Sequence, residues 1–142
     1  KGQVSPTSPM GMKSGTSPYG NIARPLNPTT LALAYGATFV ARTFSRERDM
    51  VSDLITRAIQ HKGFSFIHDL SPCVVFNKDV TYDSVNSVTA QLPEEHDILD
   101  RSNAMSLAES TEPVYQGLFF QEKIPSFDDH VKQVKDGLNK SD

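Results

Sequence analysis

The sequence predicts an α/β fold in which parallel strands are joined by crossover helices. Two short apolar runs, residues 37–42 (ATFVAR) and 64–69 (FSFIHD), read as buried strands. The stretch between them, residues 46–61, places Met50, Val51, Leu54, Ile55, Ala58 and Ile59 on one face at three-to-four spacing. A second helical signature precedes the first run, so the order is helix, strand, helix, strand. That alternation is the pattern of a parallel sheet with crossover helices.

Residues 1–27 come first and are dense in Pro, Gly, Ser and Thr. Proline removes donors and fixes φ, and glycine raises the entropic cost of order, so no regular element is expected there. A loop of this length is a floppy linker or a functional segment. Met10, Met12, Tyr19, Ile22 and Leu26 supply anchors that a Gly/Ser linker lacks. Asn27 then suits an N-cap, Pro28 the first helical position, and Gly36 the left-handed residue that closes the helix. Ser45 is placed to cap the next helix. Arg57, His61 and Lys62 suit that helix's negative end, and Gly63 stops it.

Residues 71–142 are less regular. Residues 98–109 read as a helix, 114–120 as a strand, and Ser126 as the cap of a final helix with Val131, Val134 and Leu138 on one face. Two strands do not make a stable parallel sheet, so the rest must come from this tail or from sequence outside the chain. The chain opens on Lys1 rather than Met. Together these features lead us to expect a piece of a larger α/β protein, not a self-sufficient enzyme.

Composition excludes several classes. No apolar run approaches the roughly 18 residues that a membrane helix needs. A net charge of −3, with both signs interspersed, lacks the basic footprint of a nucleic-acid binder. There is no Trp to build a base-stacking platform. One cysteine, Cys73, permits no intramolecular disulfide, which suits a reducing cytoplasm.

Cys73 is the chemically distinctive residue. Pro72 ends the strand before it, which leaves the cysteine just beyond a C-terminal sheet edge, where ligands sit in α/β folds. Read from the residues alone, three roles remain open. A lone cysteine among Val and Phe is a small buried hydrophobe; beside His68 it is a nucleophile; as a thiolate it is one of the four ligands of an iron–sulfur cluster. Arg42 at a strand end reads as a structural ion-pair partner. Ser5, Thr7, Ser17 and Asn21 are either polar contacts or groups that satisfy their own turns.

A succession of segments then carries a family resemblance. Lys1-Gly2-Gln3, Ser5-Pro6-Thr7, Thr16-Ser17-Pro18-Tyr19-Gly20-Asn21, Asn27-Pro28, residues 37–42, His61-Lys62-Gly63-Phe64 and Leu70-Ser71-Pro72-Cys73-Val74-Val75-Phe76-Asn77 follow one another. In that order and spacing they resemble the β subunit of the thiamine-diphosphate-dependent 2-oxoacid:ferredoxin oxidoreductases. Thr81-Tyr82-Asp83, Glu95-His96-Asp97 and Gly117-Leu118-Phe119 extend the match more weakly.

The resemblance implies the C-terminal part of a thiamine-diphosphate-binding fold over residues 1–83, with residues 1–27 as an active-site loop. An irregular α+β extension, residues 84–142, would follow. It implies thiamine diphosphate, Mg²⁺ and a [4Fe-4S] cluster as cofactors, with the family's Gly-Asp-Gly loop and three cluster cysteines lying upstream. Cys73 matches the fourth cysteine, in the Ser-Pro-Cys segment. Lys1, Gly2 and Gln3 would lie near thiamine diphosphate, the substrate or coenzyme A. The implied partners are an α subunit and ferredoxin, and the implied substrates a 2-oxoacid and coenzyme A, with the 2-oxoglutarate or broad-specificity branch favoured. Two rival readings remain: a thiamine-diphosphate enzyme without a cluster, and a non-catalytic docking module.

Overall fold

A computed structural model describes residues 2–138. Lys1 therefore lies outside the described residues. The order of elements is α1 (Pro28–Ala34), β1 (Phe39–Phe44), α2 (Arg48–Gln60), β2 (Ser65–Leu70), α3 (Tyr82–Val88), β3 (Thr89–Gln91), α4 (Arg101–Glu109), β4 (Val114–Gln121) and α5 (Phe127–Leu138).

The local signals explain most of these boundaries. The Asn27 side chain accepts from the Thr29 and Thr30 amides, and Pro28 occupies the first turn. At the other end Gly36, at φ +83°, donates to Leu33 O while Ala37 donates to Ala32 O. That pair of bonds is the Schellman motif, and it requires the left-handed residue glycine provides. Helix α2 starts two residues later than expected: Glu47 is its N-cap, with no side-chain cap bond, and Ser45 stays outside. Ser126 does cap α5. Its hydroxyl accepts from the Asp129 amide, and Asp129 accepts in return from the Ser126 amide at 2.8 Å.

The four strands form one sheet in the order β2-β1-β4-β3. β1 and β2 are parallel, as expected from their crossover helix. The missing partner comes from the tail: β4 runs antiparallel to β1 and carries β3 in parallel on its far side. Val40 faces Phe120 and Ala41 faces Leu118, so Phe119 is the extra residue of a β-bulge.

Helices cover both faces of β1, and all six of its residues are buried. On one face Ala32, Leu33, Val40, Ala104, Ala108, Phe119 and Phe120 pack α1 and α4 against the sheet. On the other, Leu54 of α2 meets Phe39, Ala41 and Leu118. Period-two alternation along β1 thus feeds two separate cores.

α1 and α4 are tied at both ends. Arg101, at the start of α4, donates to Leu33 O at 2.7 Å and lies 4.0 Å above the Phe120 ring. At the opposite end the Ala108 carbonyl, in the last turn of α4, accepts from Asn27 Nδ2 at 2.7 Å and from Arg42 at 3.0 Å. Arg42 is not in an ion pair among the described residues. Its guanidinium is buried and bonded only to neutral oxygens: Thr29 Oγ1, Tyr115 O, Asn27 Oδ1 and Ala108 O. Burial lowers its pKa to about 10, which leaves it charged at neutral pH.

His61 is the C-cap of α2 and Lys62 follows it, as expected, and both also reach other elements. His61 Nε2 lies 2.8 Å from Thr38 Oγ1, and Lys62 pairs with Asp129 of α5 at 2.7 Å. No helix among the described residues is long and apolar enough to cross a membrane.

Candidate functional site

The N-terminal loop is built by hydrogen bonds. Asn21 brackets it: the Gly11 amide donates to Asn21 O at 2.7 Å and the Asn21 amide to Met12 O at 2.9 Å. The Asn21 side chain donates to Ser8 O at 2.9 Å. Gly20, at φ +101°, lets the two arms close, since a Cβ there would lie 3.0 Å from Gly11 O. The Leu26 amide reaches back to Pro6 O at 2.7 Å. Ser5, Thr7 and Ser8 satisfy one another: the Ser5 amide donates to Ser8 Oγ, and the Ser5 and Thr7 hydroxyls lie 2.8 Å apart. The hydroxyls therefore serve their own turn.

This loop lines one side of a cavity of about 1000 Å³ at the C-terminal end of β2. Gly2 and Gln3 line it, and so does Cys73, so the described candidate residues from the two ends of the motif series share one space. Gly2 is close to the cysteine segment: a Cβ at its position would lie 3.9 Å from Phe76. Cys73 is exposed within this chain rather than buried among the neighbouring Val and Phe side chains. It follows β2 through Ser71 and Pro72, as the proline required, and opens a turn in which the Asn77 amide donates to Cys73 O at 2.9 Å. The Phe76 and Val75 amides, pointing at the sulfur, hold the thiol below its ordinary value. The thiolate, which these amides favour, is the form that metals and electrophiles require.

His68 does not join Cys73 in that cavity lining. Its Nδ1 lies 3.3 Å from Thr29 Oγ1, and burial followed by the nearby Arg42 charge lowers its pKa. The nucleophile–base pairing thus lacks its base. Among the described residues no group of three or more His, Cys, Asp or Glu side chains converges in a way that could hold a metal ion. A metal centre at Cys73 therefore needs ligands from outside the described residues.

Comparison with known proteins agrees with this geometry. Residues 1–68 match the family model of the thiamine pyrophosphate enzyme C-terminal TPP-binding domain. Residues 73–136 match the model of the C-terminal region of the pyruvate ferredoxin oxidoreductase β chain. A 2-oxoglutarate:ferredoxin oxidoreductase from Magnetococcus marinus, solved with 2-oxoglutarate, coenzyme A and succinyl-CoA bound, superposes at a TM-score of 0.94 with 36% identity. That superposition covers 98% of this chain and 48% of the other.

The chain belongs to the β-subunit family of the 2-oxoacid:ferredoxin oxidoreductases. Among curated relatives, the 2-oxoglutarate synthase subunit KorB of Archaeoglobus fulgidus is 31% identical over 94% of the chain and 47% of its own length. The KorB subunit of Methanocaldococcus jannaschii is 31% identical over 96% of the chain and 51% of its own length. The chain spans about half the length of these relatives.

In this β-subunit chain, one contribution to the cavity was not expected from the sequence. Helix α3 brings Val85 and Val88 to the cavity lining beside Val80 and Phe76, and Val114 joins them from the start of β4. The local signal for that helix is a capping box of Thr81 and Ser84. The Thr81 amide donates to Ser84 Oγ at 2.8 Å and the Ser84 amide to Thr81 Oγ1 at 3.1 Å. Thr81-Tyr82-Asp83 is thus a helix start as well as a family motif.

Proposed function

We propose that this chain is the C-terminal part of the β subunit of an enzyme that oxidatively decarboxylates a 2-oxoacid to its acyl-CoA and passes the electrons to ferredoxin. The favoured substrate is 2-oxoglutarate or a broader set of 2-oxoacids. The observation that carries the reading is the shared cavity of Gly2, Gln3 and Cys73 at a C-terminal sheet edge. The names of the relatives, several of them 2-oxoglutarate enzymes, support the substrate class.

When bound, thiamine diphosphate with Mg²⁺ supplies the carbanion stabilisation that decarboxylation requires, and a [4Fe-4S] cluster supplies one-electron acceptance. The chain's own residues then have separable tasks. Cys73 fits as one thiolate ligand, since it is exposed to the cavity and its ionised form is favoured by amide donors. The remaining cluster ligands, the diphosphate cradle and the Mg²⁺ ligands would come from the upstream half of the subunit. Gly2 and Gln3 flank the space a substrate or coenzyme A would enter, and Lys1 immediately precedes them. In this reading residues 1–83 carry the thiamine-binding half-domain, with residues 1–27 as its active-site loop. Residues 84–142 are the β-subunit extension, the site is completed by an α subunit, and the assembly works in the cytoplasm.

The decisive variant is Cys73→Ser in the assembled αβ complex. Iron content is expected to fall and ferredoxin reduction to cease, while thiamine diphosphate remains bound. Iron stoichiometry equal to that of the wild type would sink the ligand assignment.

A further inference from the structure

Lys13 lines the same cavity as Gln3 and Cys73, and its backbone is held between two rungs of hydrogen bonds. On one side the Asn21 amide donates to Met12 O at 2.9 Å. On the other, the Ser14 amide donates to Ser17 O at 3.2 Å and the Ser17 amide to Ser14 O at 3.1 Å. The Asn21 carboxamide adds a cross-tie. Its Nδ2 lies 2.9 Å from Ser8 O and 3.3 Å from both Pro9 O and Ala23 O, while Oδ1 accepts from the Ala23 amide at 3.2 Å.

We infer that Lys13 binds an anionic oxygen group of a substrate, the carboxylate of a 2-oxoacid or a phosphate of coenzyme A, and that Asn21 is the positioning residue that holds it at the cavity. This rests on the function proposed above.

The charges carry the first half of the inference. Arg46, Arg57, Lys62 and Arg101 each stand within 4 Å of a carboxylate, whereas Lys13 is in no ion pair among the described residues. The described lining of the cavity contains Lys13, Lys78 and a single carboxylate, Asp79, so its charged groups sum to one positive charge. An ammonium is a compact charge on a flexible stem, suited to a carboxylate or phosphate oxygen. The rungs carry the second half. Fixing the backbone at the base of that stem before the ligand arrives lowers the ordering entropy that binding costs. Removing the carboxamide frees the Ser8–Pro9 arm, and Lys13 then loses part of that advantage.

The test uses the assembled αβ complex with Lys13→Met, Asn21→Ala and the double variant. Acyl-CoA formation with a viologen dye as electron acceptor gives kcat and KM for 2-oxoglutarate and for coenzyme A separately. Lys13→Met should raise one of the two KM values about tenfold with little change in kcat, the signature of lost ground-state binding. The KM that rises tells a carboxylate from a phosphate. Asn21→Ala should raise the same KM by a smaller factor, and the double variant should match Lys13→Met alone, because Asn21 acts through the lysine. Wild-type KM values for both substrates in Lys13→Met overturn the inference, and that exposed residue decides the matter even if Asn21→Ala does not fold. An Asn21→Ala effect of equal size with and without Lys13 overturns the positioning role. A wild-type complex that forms no acyl-CoA overturns the proposed function itself, and the inference with it.

Discussion

Replacing Arg42 separates two ideas of what a buried charge is for. Intuition holds Arg42→Lys conservative and Arg42→Met disruptive; the structure predicts the reverse order. The guanidinium makes four bonds to neutral oxygens at 3.0–3.3 Å and lies 5.2 Å from the Phe119 ring centroid. No carboxylate compensates its charge among the described residues; the partial negative charge at the C-terminal end of α4, where Ala108 sits, is what stands opposite it.

Methionine fills a similar volume and abolishes the buried charge. Three of the four acceptors keep another partner: Ala108 O has Asn27 Nδ2, Asn27 Oδ1 has the Thr29 and Thr30 amides, and Thr29 Oγ1 has His68. The loss is then of the order of one or two net hydrogen bonds, about 1–3 kcal/mol. Lysine keeps the charge, but a compact, strongly hydrated ammonium with three donors cannot reproduce the planar fork. A poorly solvated buried cation costs about 3–5 kcal/mol. Urea unfolding of the full-length β subunit, wild type against both variants, measures the difference. A Lys variant as stable as wild type, or more stable than the Met variant, would refute the argument that geometry rather than charge is what Arg42 contributes.

Two further outcomes are expected from the same scaffold. Gly63 sits at φ +144°, and a Cβ there would collide with Thr38 Oγ1 and come within 3.0 Å of His61 Nε2, so Gly63→Ala should cost about 3 kcal/mol; an unchanged urea midpoint would show that the β2 entry relaxes freely. His68 has a folded-state pKa below its ordinary value, through burial and then Arg42, so the unfolded chain binds its proton more readily. Its contribution to stability is present above about pH 6.5 and is lost as pH falls below that value. His68→Gln should flatten the decline between about pH 7 and 5, and an identical slope in the variant would contradict the shift.

The local chemistry of the chain fixed a good part of this outcome in advance. Asn27-Pro28 and Gly36 bounded α1, the three-to-four spacing defined α2, and Pro72 ended β2, because each acts over a turn or less through backbone donors and φ. The motif order placed Cys73 and Gly2-Gln3 in one family and hence near one site. Other features were decided at long range. β4 became the antiparallel neighbour of β1 because the exposed edge of a two-strand unit needs a partner, and no local rule names that partner. Arg42 gained a helix end in place of a carboxylate only when α4 was laid beside α1, and Lys62 found Asp129 only when α5 was in place. The valines of α3 line the same cavity as Cys73 for the same reason: β3 must pair with β4, and that pairing brings two segments far apart in sequence to one cavity. Sequence alone determined which residues could carry chemistry; the tertiary structure decided which of them face the same space.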